Sequence, residues 1–154
     1  AVGYIHRMNY IHRDLKPTNI LIDNHDRLKI CDLGIVTVRE IDSKDGAQEL
    51  AQDRSFNKGT KMYMAPEQTW SYSTKVDIFA LGLILAQLCV FMPIAEAIKV
   101  FDNYRDAKPK PNSVLDELPE QKKMVEWLTK NKPEERPTCE EILKHSYLSS
   151  AEYD

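Results

Sequence analysis

The chain has 154 residues, 42% of them hydrophobic, enough for one compact domain with its own core. A net charge of -3 gives no electrostatic case for binding nucleic acid or a membrane surface. Three scattered cysteines, Cys31, Cys89 and Cys139, lack metal-ligand spacing and fit reduced thiols in an intracellular, cytoplasmic protein.

In chain order, Ile5 and Met8 stand three apart and suit the last turns of a helix, although Gly3 is a poor helix former. Residues 20–22 and 28–31 are short strand candidates around the turn-rich Asp23-Asn24-His25-Asp26, and together they predict a small hairpin with polar groups at its ends. Residues 37–60 are polar and without apolar period, the mark of a long functional or disordered loop. Residues 76–90 are apolar on nearly every face, which predicts a helix buried in the middle of the domain. The run from Ile78 to Val90, broken by Gln87, is too short to span a bilayer, and no charged leader with an apolar stretch is visible.

Beyond Pro93, Ile94, Ile98, Phe101 and Tyr104 recur at helical steps and predict an amphipathic helix. Three prolines between residues 107 and 119 suggest an extended connector, after which Met124, Val125 and Leu128 mark another helix. Thr138-Cys139-Glu140-Glu141 is a capping box opening a last helix that carries Ile142 and Leu143. The expected fold is mainly α with a small β-hairpin.

The chemistry concentrates in His12-Arg13-Asp14-Leu15-Lys16-Pro17-Thr18-Asn19. Asp14 can accept a hydroxyl proton, Lys16 can neutralise a phosphate, and Asn19 can hold a metal ion through its amide oxygen. A second carboxylate follows in Cys31-Asp32-Leu33-Gly34, and Met64-Ala65-Pro66-Glu67 lies beyond. A lone aspartate before leucine is usually a solvated loop residue or a cap. The conjunction carries the signal: the eight-residue loop, the hairpin, and Asp32 eighteen positions after Asp14. Asn19 and Asp32 offer only oxygen, which suits a hard cation such as magnesium.

Order, spacing and chemistry resemble the protein kinase family, and specifically its C-terminal lobe. The Gly-rich loop and strand lysine of the N-terminal lobe do not occur among these residues. The resemblance implies a partial kinase domain over residues 1–148 with a tail at 149–154. It implies ATP and magnesium as cofactors, Asp14 as base, and Asn19 and Asp32 as metal ligands. Lys16, two residues after Asp14, implies the Ser/Thr type, and Thr60 after Gly59 implies a bond to Asp14 and Lys16. Arg13 implies a phosphate partner on the activation loop, with Ser43, Ser55 and Thr60 as candidates and Ser55 preferred. Leu33 stands where the family usually has phenylalanine. Asp77 is expected to accept backbone hydrogen bonds from the catalytic loop, and Glu67 and Arg136 to form a buried pair. Leu21 matches the floor of the adenine pocket, although by itself it reads as a core leucine.

Residues 59–68, residues 76–85, Tyr104-Arg105-Asp106 and Pro133-Glu134-Glu135-Arg136-Pro137 look like the kinases of the translation initiation factor two alpha subunit. That protein is the implied substrate. The helix that docks it in this subfamily usually carries a threonine near its start. Here Phe91-Met92-Pro93-Ile94-Ala95-Glu96-Ala97 has none and keeps Glu96. Two functions compete: the kinase lobe of an enzyme whose nucleotide also needs an N-terminal lobe, and a catalytically inactive lone lobe that binds or competes. The first is favoured because Asp14, Lys16, Asn19 and Asp32 are all present, with the 154 residues alone expected to be nearly inactive.

Overall fold

A computed structural model describes residues 1–33, 37–38, 60–70, 73–108 and 114–149. The element order is α1 (Val2–Arg7), β1 (Tyr10–Ile11), β2 (Ile20–Ile22), β3 (Leu28–Ile30), β4 (Thr37–Val38), α2 (Thr74–Cys89), α3 (Ile94–Arg105), α4 (Pro119–Leu128), α5 (Cys139–Leu143) and α6 (Ser146–Ser149). Short 3-10 turns at Pro17–Asn19, Lys61–Tyr63, Pro66–Thr69, Val114–Glu117 and Pro133–Glu135 join them.

Helix α2 is the axis of the domain. Ser73 caps it by accepting from the Lys75 amide N–H at 3.2 Å. Val76, Phe79, Leu83 and Ala86 of α2 lie in one core with Ile11, Leu15, Phe101 and Val125. Each large apolar side chain buried this way contributes roughly 1.5–3 kcal/mol. Gly82 lets α4 come close: a Cβ there would sit 2.5 Å from Thr129 Cγ2 and 2.9 Å from Leu128 Cβ. No helix among the described residues is long and apolar enough to cross a membrane.

The hairpin pairs β2 with β3 antiparallel, Ile20 opposite Ile30 and Leu21 opposite Lys29. Leu21 is 53% exposed, and Ile22 and Leu28 are exposed with it. The core-leucine reading of Leu21 is therefore wrong. The far part of the hairpin lies on the surface, while Ile20 and Ile30 at its base pack against the α2 core. A second two-stranded pairing, Tyr10 with Val38 and Ile11 with Thr37, was invisible in a segment that read as loop. Two residues are too few to show an alternating pattern. The expected connector also differs from the structure, since Val114–Glu117 is a 3-10 turn with Leu115 buried. The capping box forms: the Glu141 amide N–H donates to Thr138 Oγ1 at 3.2 Å, and the Thr138 N–H donates to Glu141 Oε2 at 2.7 Å.

Candidate active site

The His12–Asn19 loop is fastened to the first turn of α2. Asp77, 1% exposed, accepts the His12 amide N–H on Oδ2 and the Arg13 amide N–H on Oδ1, each at 2.9 Å. Its negative charge also suits a helix N-terminus. Arg13 takes φ 68, the left-handed region that residues other than glycine rarely adopt. The strain persists because the peptide is held on both sides. Gln68 Nε2 donates to the Arg13 carbonyl at 2.8 Å, opposite the bond to Asp77. His12, wholly buried, lies with Nε2 3.1 Å from the Cys31 carbonyl and ties the loop to the strand end before Asp32.

Asp14, Lys16 and Thr60 form one triangle. The Thr60 amide N–H donates to Asp14 Oδ1 at 2.8 Å, Lys16 Nζ lies 3.1 Å from Asp14 Oδ2, and the same ammonium donates to Thr60 Oγ1 at 2.8 Å. Burial works against the charge on Asp14. Hydrogen bonds from Thr60 and Lys16, with the lysine's charge, nevertheless hold its carboxyl below the ordinary aspartate range. It is an anion at neutral pH and a weak base. Such a group orients a hydroxyl more than it drives proton removal.

Asn19 pairs with Cys31, the neighbour of Asp32, at the base of the hairpin. Asn19 immediately precedes β2, and its carbonyl accepts the Cys31 amide N–H at 2.9 Å, one residue before Asp32. Asn19 is buried, and its amide nitrogen donates to the Asp14 carbonyl at 2.9 Å, which turns the amide oxygen to other use. Asp32 is exposed at φ 61, a strained backbone for aspartate. Among the described residues no three His, Cys, Asp or Glu side chains could hold a metal together. Two oxygen ligands fit magnesium, which is commonly held by one or two protein groups plus substrate phosphates.

Glu67 and Arg136 form a buried two-pronged pair, Nη1 to Oε1 at 2.6 Å and Nη2 to Oε2 at 2.9 Å. Ser43 and Ser55 lie outside the described residues. Sequence reasoning missed two supports. One is Gln68, which links the segment after Glu67 to Arg13. The other is Arg105, which donates to the Met64, Lys61 and Met62 carbonyls at 3.0, 2.9 and 2.8 Å and fixes the stretch that begins at Thr60. No spacing rule marks either, because both act on backbone carbonyls far away in sequence.

A sequence model of the protein kinase domain matches residues 1–148. The chain is 38% identical over 164 residues to the eukaryotic translation initiation factor 2-alpha kinase pek-1 of Caenorhabditis elegans, covering 96% of this chain and 15% of that one. It is 40% identical over 147 residues to the interferon-induced, double-stranded RNA-activated protein kinase of Mus musculus, covering 94% and 26%. It is 36% identical over 168 residues to the eIF-2-alpha kinase GCN2 of Rattus norvegicus, covering 96% and 10%. The chain thus spans about a quarter or less of the length of these relatives.

Proposed function

Since the chain belongs to the protein kinase domain family, we propose that it carries the catalytic loop of a Ser/Thr kinase that transfers the terminal phosphoryl group of ATP to a protein hydroxyl. Asp14 orients the hydroxyl and accepts its proton, and Lys16 offsets charge on the phosphoryl group as it moves. Asn19 and Asp32 hold magnesium, which when bound neutralises phosphate charge. Leu21, exposed two residues after Asn19, would form the floor of the adenine site. The exposed Leu21, Ile22 and Leu28 support a further layer of protein over the nucleotide, the N-terminal lobe of a complete kinase. The observation that carries this reading is the Asp14–Lys16–Thr60 triangle, with all three contacts at 2.8 to 3.1 Å. Thr60 has its hydroxyl committed to Lys16, so Ser55 is the preferred carrier of the phosphate that Arg13 would meet.

The substrate is the alpha subunit of translation initiation factor two, in the cytoplasm. The names of the relatives and the exposed face at Phe91, Ile94 and Ile98 on and before α3 support that choice. The test uses the complete natural protein, ATP and magnesium, with the purified alpha subunit and a generic basic protein as alternative acceptors. Transfer to serine or threonine of the alpha subunit is expected, with Ile98→Ala raising its KM while transfer to the generic acceptor stays unchanged. Equal turnover of both acceptors, untouched by Ile98→Ala, would remove this substrate from consideration.

A further inference from the structure

Behind the catalytic loop, Asp77 is joined by two reactive side chains that phosphoryl transfer does not use, His6 and Cys139. His6 on α1 reaches Asp77 Oδ2 through Nε2 at 2.8 Å, and its Nδ1 lies 3.6 Å from Cys139 Sγ. The order Cys139, His6, Asp77 therefore runs from a thiol through an imidazole to a buried carboxylate. Three separate segments supply the three side chains. Gly3 makes the approach possible, since a Cβ there would stand 3.1 Å from Cys139 Cβ.

We infer that Cys139 is a peroxide-reactive thiol, oxidised by hydroperoxides to a sulfenic acid with His6 as its polar partner. Thiolates are the nucleophiles in such chemistry, and reactive cysteines sit beside cationic groups with partial access to solvent. Cys139 meets both conditions, being half-buried and faced by the imidazole. Burial lowers the basicity of His6, but hydrogen bonds to Asp77 and Cys139 and the charges of both raise it to about 9. The ring is then an imidazolium at neutral pH, with N–H groups toward both neighbours. Cys89 provides an internal contrast, because burial alone acts on its thiol and pushes it up.

In the reaction the sulfur attacks one oxygen of hydrogen peroxide and the O–O bond breaks. Sulfur loses two electrons, the peroxide gains them, and the departing hydroxide leaves as water with the thiol's proton. The oxidised sulfur then sits three hydrogen bonds from the His12 and Arg13 amides, through His6 and Asp77.

The test treats the complete natural protein with hydrogen peroxide in the presence of dimedone and follows adduct formation at each cysteine by peptide mass spectrometry. Cys139 is expected to react at least about tenfold faster than Cys89, and His6→Gln to slow Cys139 by about tenfold while leaving Cys89 unchanged. Equal rates at Cys139 and Cys89 in the unaltered protein would overturn the inference. So would a folded His6→Gln variant in which Cys139 reacts as before. If His6→Gln fails to fold, the comparison within the unaltered protein decides alone.

Discussion

Replacing Arg136 by methionine removes a side chain whose five N–H donors are all used. Besides the two bonds to Glu67, Nε donates to the Lys130 carbonyl at 2.6 Å, Nη1 to Lys75 at 2.9 Å and Nη2 to Asn131 at 3.0 Å. The guanidinium also stacks 4.9 Å from the centre of the Phe79 ring. Arg136 is 2% exposed and Glu67 7%, so methionine leaves a buried carboxylate without its cation. Losing one partner of such a pair costs about 3–5 kcal/mol. In a domain of this size that lowers the melting temperature by roughly 6–20 °C. Urea unfolding followed by tryptophan fluorescence and circular dichroism measures it, and coincident curves confirm a two-state transition. A cycle with Glu67→Leu separates the pair from its surroundings. The double variant should cost less than the sum of the singles by at least about 1 kcal/mol, since it strands no charge. A loss below about 1 kcal/mol for Arg136→Met, or strict additivity in the cycle, would refute this reasoning.

Gly82→Ala places a methyl into the contact of α2 with Thr129 and Leu128 and should destabilise by about 1–3 kcal/mol, read in the same unfolding assay. His6, raised from 6.5 to about 9, stabilises the fold in full below about pH 6.5 and loses that contribution as pH climbs through 9. Stability should fall by up to about 3 kcal/mol across that window, and His6→Gln should flatten the profile. Asn19→Ala or Asp32→Asn should raise the magnesium concentration needed for half-maximal phosphoryl transfer by at least about tenfold, with the unfolding midpoint little changed for the exposed Asp32.

The helices and the hairpin were legible because apolar period, turn residues and the Thr138–Glu141 box are local signals. The start of α2 at Thr74 rather than Val76 follows from the Ser73 cap, which a purely apolar pattern passes over. The β1–β4 pairing, the turn at Val114–Glu117 and the Arg105 staple depend on residues brought together from far along the chain. In the site, Asp14, Lys16, Asn19 and Asp32 were visible through their spacing. Gln68 and His6 were not, because their roles arise only once Arg13 and Asp77 are placed in space.

The central claim is that Asp14, held by Thr60 and Lys16, positions an acceptor hydroxyl for phosphoryl transfer. It is tested most directly by single-turnover transfer from ATP to a protein acceptor in the complete natural protein, compared with Asp14→Asn at saturating nucleotide. The account predicts phosphoserine or phosphothreonine product, with the rate lowered by about 10²–10⁴ in the variant and nucleotide affinity preserved. An Asp14→Asn protein that transfers phosphate at the unaltered rate, or an unaltered protein that binds ATP and acceptor without transfer, would contradict it.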